Sequence, residues 1–305
     1  MNFTAKDVSD LRAQTGIGMM ECKKALTEAN GDKEEAIKIL REKGLAVAEK
    51  KASRIAAEGV VDILAQGDSV AMVEVNSETD FVAKNDSFKS FVKGVLETIL
   101  SEKPADVDAL LACKFSGTDD TVDAVLKDKT FQIGEKLSIR RFAVVDGLTS
   151  TYVHGGGTIG VIVKAESECA DKDAVKAVLK NVALQIAAMN PKYLDKDSVP
   201  AADLEAEKEI LMAQINNDEK NASKPEAVKE KMILGKIGKF YDTNCLLEQE
   251  YVKEDKVKVS AYVASEANKL GADIKITSFL RYEKGEGIEK REDNFAEEIA
   301  KLTQK

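Results

Sequence analysis

The chain has a single histidine, His154, and any Ser-His-Asp or Cys-His chemistry would have to be built on it. It stands directly before Gly155-Gly156-Gly157, in what reads as a hairpin turn. No neighbouring residue is placed by the sequence to orient its ring, so it reads as a surface side chain. The four cysteines, Cys22, Cys113, Cys169 and Cys245, lie far apart and form no C-x-x-C pair. Neither a zinc site nor a disulfide framework is indicated, and a reducing compartment fits. The glycine run precedes a predicted strand, whereas phosphate-cradling loops open a helix, and no Walker-type G-x-x-x-x-G-K-S/T occurs. Acidic residues are abundant, but abundance does not make a paired acid and base. The expectation is a protein with no catalytic site, no metal site and no cofactor of its own.

Composition narrows the partners. The 305 residues carry 45 Lys and Arg against 54 Asp and Glu, a net charge of −9, which argues against a general nucleic-acid binder. Lys50, Lys51 and Arg54 form a small basic patch that reads as a solvated helix face. Hydrophobic residues make up 44% and aromatics 5%, with no tryptophan, so the core must be aliphatic. The stretch from Met1 to Asp7 lacks the apolar run of a signal peptide, and no segment approaches the length of a membrane span. A soluble, cytoplasmic protein without direct nucleic-acid or membrane contact is expected.

The periodicity predicts an α+β chain. Residues 4–44 read as three short helices: Thr4 and Asp7 suggest a capping box, Thr15-Gly16-Ile17-Gly18 breaks the first helix, and Met19, Cys22, Leu26 and Ala29 mark the second. Asn30-Gly31 stops that helix, Asp32 caps a third, and Gly44 ends it. The shape looks like a ubiquitin-associated (UBA-like) bundle, and residues 45–58 read as a separate connecting helix. A strand–turn–strand pattern follows around Gly67-Asp68, then a polar loop from Asn76 to Asn85, then a helix capped by Asp86 or Ser87. A second strand–turn–strand–helix unit begins near residue 151 and reads as an internal repeat of the first. The first copy has the longer strand-to-helix loop, with its surplus around Ser77-Glu78-Thr79-Asp80-Phe81; loops on rigid scaffolds often carry function. Residues 201–241 read as a projecting helical hairpin, with Leu204, Leu211 and Ile215 facing Val228, Met232, Leu234, Ile237 and Tyr241. Phe295, Ile299 and Leu302 lie at helical spacing in a charged tail. The predicted division is 1–55 for the bundle, 56–146 and 147–282 for two related core subdomains, the second containing the hairpin, and 283–305 for a C-terminal module.

Two segments carry a specific resemblance. Leu11-Arg12-Ala13-Gln14-Thr15-Gly16-Ile17-Gly18-Met19-Met20-Glu21-Cys22-Lys23-Lys24-Ala25-Leu26 and Val73-Glu74-Val75-Asn76-Ser77-Glu78-Thr79-Asp80-Phe81-Val82-Ala83-Lys84-Asn85 closely resemble the two signature stretches of the elongation factor Ts family. Ala187-Ala188-Met189-Asn190-Pro191, Leu246-Leu247-Glu248-Gln249 and Gly285-Glu286-Gly287-Ile288-Glu289 add matches in family order. Ile17, Glu21 and Ser77 stand where the family more often has alanine, aspartate and cysteine.

The resemblance implies a nucleotide-exchange factor that acts on the GTPase EF-Tu and is not itself an enzyme. It implies that Thr79, Asp80, Phe81 and Val82 dislodge the magnesium of EF-Tu: Phe81 as a wedge in an apolar crevice, Asp80 beside the metal. It further implies that Leu11, Met19 and Met20 contact the GTPase domain, and that the C-terminal half anchors another domain of the partner. From the residues alone, two other readings stand beside this one: an adaptor working through the bundle, and a hydrolase using paired carboxylates.

Overall fold

The computed structural model describes residues 2–289. Phe295, Ile299 and Leu302, and most of the 283–305 segment, lie outside the described residues.

The chain opens with α1 (Ala5–Thr15), α2 (Met19–Glu28) and α3 (Lys33–Lys51). Thr4 and Asp7 form the reciprocal capping box, the Thr4 N–H donating to the Asp7 carboxylate at 2.8 Å. Gly16 closes α1 in the left-handed region, at φ 69°. Val8, Leu11, Cys22, Ala25, Leu26, Ala36 and Leu40 make a small buried core. The third helix does not end at Gly44, and there is no separate connecting helix: α3 runs unbroken to Lys51. Glycine inside a helix costs about 1 kcal/mol relative to alanine. The Phe131 ring lies beside Gly44, at an ordinary contact distance of 3.5 Å from where a Cβ would stand, so the position is buried without requiring glycine.

Next come β1 (Glu58–Gln66), β2 (Ser69–Ser77), the single-turn α4 (Asp80–Ala83), α5 (Asp86–Glu102), α6 (Val107–Ala112), α7 (Val122–Ile133) and β3 (Ser138–Asp146). The strands form an antiparallel sheet in the order β1-β2-β3. Asn85, one residue before the expected cap, starts α5 by accepting from the Ser87 N–H at 2.8 Å. The inner face of α5, with Phe88, Phe91, Val92, Val95 and Ile99, packs with Val73 and Val75 of the sheet.

A second sheet has the same design. β4 (Thr149–His154) and β5 (Ile159–Glu166) precede α8 (Lys172–Met189). The hairpin α9 (Ala201–Asn217) and α10 (Glu226–Asn244) follows, then α11 (Val259–Leu270) and β6 (Lys275–Glu283), which completes an antiparallel sheet ordered β4-β5-β6. In each sheet a helix follows the second strand and the third strand returns beside it. The link from β2 to α5, residues 78–85, is longer than the link from β5 to α8, residues 167–171.

The two sheets meet through Val61, Val70, Met72 and Ile162, with Leu280 and Tyr282 at the margin. Close approach depends on Gly160, because a Cβ there would press into Val61 and the Met72 sulfur. One buried carboxylate also spans the junction. Glu74 on β2 accepts from Arg140 at 3.1 Å, from Arg141 at 2.6 Å and from the backbone N–H of Gly285, just beyond β6, at 2.7 Å.

Along the hairpin, the seam is Leu211, Ile215, Ile233 and Ile237, with Leu204, Met212, Met232 and Tyr241 beside it. Leu234 and Val228, expected in the seam, are exposed, Leu234 to 69%. Ile233 takes the inward place.

Candidate functional site

The loop between β2 and α5 forms a short finger held at its base. Ser77, fully buried, donates its hydroxyl to the Thr79 carbonyl at 2.9 Å. The Thr79 N–H donates to one oxygen of Glu135 at 2.9 Å, and its hydroxyl donates to the other at 2.7 Å. Glu78 accepts from the Lys136 N–H at 2.6 Å and pairs with Arg54 at 3.3 Å. The basic patch is therefore partly engaged within the protein: Arg54 faces Glu78, and the Lys51 ammonium meets the Gly134 carbonyl.

Beyond Thr79 the chain makes one helical turn, α4, and its residues diverge. Val82 is buried in the core of the first sheet. The Val82 carbonyl accepts from the Asn85 N–H at 2.9 Å, which ties the far end of the turn to the start of α5. Phe81 points the other way and is 78% exposed. Among the described residues, the Lys84 ammonium lies 5.8 Å from its ring centre. Asp80 is also exposed and pairs with Lys84 at 2.8 Å. The Lys84 hydrogen bond holds the Asp80 carboxyl below its ordinary range. The finger thus presents a ring and an ionised carboxylate side by side, with Val82 as its root rather than part of its tip.

The N-terminal residues separate in the same way. Both methionines at the start of α2 are exposed, Met19 to 48% and Met20 to 64%, so Met19 does not lie on the buried stripe with Cys22 and Leu26. Leu11 is fully buried in the bundle core. Of the three residues expected as contacts, Leu11 therefore lies in the core and Met19 and Met20 lie on the surface.

The loop between α1 and α2 and the finger are tied to one stretch of chain. Gln132, in the last turn of α7, donates to the Thr15 carbonyl at 2.6 Å, and Glu135 and Lys136 hold the finger. Gly134, at φ 82°, turns the chain between them. Sequence reading missed Gln132, Glu135 and Lys136, because their partners lie 117, 56 and 58 positions away and nothing local signals them.

No cluster of three or more His, Cys, Asp or Glu side chains able to hold a metal occurs among the described residues. His154 is less isolated than its sequence context suggests: the Tyr152 hydroxyl lies 2.9 Å from its Nδ1. Among the described residues, no helix is long and apolar enough to cross a membrane.

The family model described as elongation factor TS matches residues 78–286, a span that begins one residue before Thr79 and ends just after Gly285. Full-length relatives extend the likeness over the N-terminal bundle. The elongation factor Ts of Syntrophotalea carbinolica is 46% identical over 99% of this chain and 100% of its own length. Those of Clostridium kluyveri and Clostridioides difficile are each 48% identical over 98% of both chains. With the finger, the paired methionines and the two three-stranded sheets all falling within that near-complete match, the chain belongs to the elongation factor Ts family.

Proposed function

We propose that this chain is a guanine-nucleotide exchange factor that binds EF-Tu·GDP, loosens its magnesium and phosphate contacts and so speeds GDP release for GTP to enter. The observation that carries this reading is Phe81, an aromatic side chain left almost wholly in water on a finger whose base is fixed from three sides. Burying a phenylalanine stabilises by about 1.5–3 kcal/mol. This protein forgoes that gain in its own fold, and a crevice in a partner would recover it. A ring fixed in advance loses little entropy on insertion.

In the proposed mechanism Phe81 enters an apolar crevice of EF-Tu beside the nucleotide, with Thr79 and Val82 setting its direction. Asp80 leaves Lys84 and approaches the magnesium surroundings. GDP is held by phosphates, metal and backbone donors acting together, so displacing one element weakens the rest. The factor accelerates release only by preferring the weakly binding state of the GTPase, and the coupling is reciprocal: GDP lowers the affinity for the factor by the same ratio. Met19 and Met20 supply a second, adaptable contact on the GTPase domain. The second sheet and its hairpin anchor another part of the partner. The chain performs no covalent chemistry, contacts neither nucleic acid nor membrane directly, and works in the cytoplasm.

We extend the same reading to the architecture. The first three helices form a UBA-like unit, 1–55, and the two sheets centre two related subdomains, 56–146 and 147–282, followed by a C-terminal module, 283–305. The matching strand order of the sheets supports this division.

The direct experiment mixes the purified chain with EF-Tu carrying a fluorescent GDP and follows release against excess unlabelled nucleotide. Release should accelerate steeply with factor concentration. A rate that does not change with added factor overturns the proposal.

A further inference from the structure

The register of the first sheet explains how the finger is held. β2 and β3 pair antiparallel with Asn76 opposite Ser138 at the end of the ladder. Continued three residues along each strand, that register sets Thr79 opposite Glu135. Backbone pairing has stopped by then, and the Glu135 side chain replaces it, accepting from both the N–H and the hydroxyl of Thr79. Thr79 occupies the N-cap of α4, yet its hydroxyl makes no bond to that helix. A threonine at such a position ordinarily caps its own helix. Here it is held sideways by a side chain from the link between α7 and β3. With Ser77 on its carbonyl, all three polar groups of Thr79 are fixed within the protein.

We propose that Glu135 is a positioning residue for nucleotide exchange: it touches neither partner nor nucleotide, and it fixes the angle at which Thr79 presents Phe81. This rests on the exchange reading above. Hydrogen bonds to a charged acceptor are among the stronger ones, and two on a single residue suppress rotation of the turn that follows. Without them, the turn would remain rooted by Val82 while the Phe81 ring sampled many directions. The sheet would survive the loss, since the β2–β3 ladder closes without Glu135.

The test is a double-mutant cycle on GDP release from EF-Tu, with wild type, Glu135→Ala, Phe81→Ala and the double variant. Maximal release rate and half-saturating factor concentration are measured separately, alongside the melting temperature. For Glu135→Ala, which removes both bonds, we expect a maximal rate lower by on the order of tenfold or more, since even one charge-assisted bond is on that scale. Half-saturation should move less than about threefold, since the remaining contacts are untouched. In the Phe81→Ala background, the further loss from Glu135→Ala should largely vanish, because residues acting through one another are not additive. A normal rate for Glu135→Ala, equal losses in rate and affinity, or full additivity would each overturn the inference. If Phe81→Ala itself releases GDP as fast as wild type, the exchange reading has failed; if only Glu135→Ala is normal, the positioning role alone has failed. Should Glu135→Ala not fold, Thr79→Val, which removes the hydroxyl bond and keeps the N–H bond, replaces it in the cycle. It should give a smaller rate loss of the same kind, and a wild-type rate there overturns the inference.

Discussion

Adjacent residues of the finger point opposite ways, Phe81 into solvent and Val82 into the core, and substitutions should separate their effects. Phe81→Ala removes an exposed ring, so the unfolding free energy should stay within the small range of ordinary surface changes, about 0.5 kcal/mol either way. GDP release from EF-Tu should nevertheless slow by one to two orders of magnitude, on the order of the energy a central aromatic anchor supplies. Val82→Ala should do the reverse in the first instance: a loss of about 2 kcal/mol in urea unfolding, because a buried side chain leaves a cavity under the turn. A Phe81→Ala protein that melts as badly as Val82→Ala would show that the ring packs inward in solution. Neighbours in sequence therefore say little about neighbours in role: the direction of a side chain from one helical turn decides it.

At the level of elements, much of the pattern was legible before the fold was known. Apolar runs on either side of Gly67-Asp68 and of Gly155-Gly156-Gly157 marked β1, β2, β4 and β5, with glycine at the turns between them. The capping box at Thr4 and the surplus in the β2-to-α5 link were also legible. What failed did so for tertiary reasons. Gly44 resembles a helix stop, yet a glycine inside a helix costs only about 1 kcal/mol, and this one is buried where α3 packs beside Phe131 of α7, so α3 passes through it. The hairpin seam was offset by one residue on α10, where Leu234 and Ile233 are equally apolar and the facing arm alone chooses between them. That choice is testable. Ile233→Ala should destabilise the hairpin by about 2–3 kcal/mol, seen as early loss of helix signal or faster proteolysis between residues 217 and 226. Leu234→Ala, on the exposed face, should leave both unchanged. The grip of Glu135 on Thr79 was illegible for a similar reason: it appears only once the β2–β3 register is known, and register is a property of a pair of strands.

Across the whole molecule, Glu74 is the group on which both sheets converge. Burial alone would raise its carboxyl, but the Gly285 N–H, the Asn76 amide and Arg141 together hold it below the ordinary range. A carboxyl with a depressed folded-state value stabilises fully above its unfolded value of 4.5 and loses that contribution as the pH falls through the lower folded-state value. Acid should therefore loosen the junction between the sheets. Glu74→Gln should be less stable at neutral pH, by about 3 kcal/mol, the scale for breaking a buried ion pair. Its stability should also fall less steeply than that of wild type below pH 4.5. Parallel pH curves for the two proteins would remove Glu74 as the acid-sensitive group. The same junction accounts for Gly285, where a Cβ would overlap the carbonyl oxygen of Ala57.

The position of Gly285 also sets an order of events during synthesis. Chains emerge from the ribosome N-terminus first, and early regions begin to fold while later ones are still being made. The first sheet is complete in sequence at Asp146, yet the N–H that closes over its central carboxylate belongs to residue 285. Until nearly the whole chain has emerged, Glu74 has only Asn76, Arg140 and Arg141 from its own half, and its remaining face stays hydrated. The segment carrying Gly285 supplies that last donor, so a nascent chain stalled before residue 285 should carry a complete first sheet whose central carboxylate still lacks one of its partners.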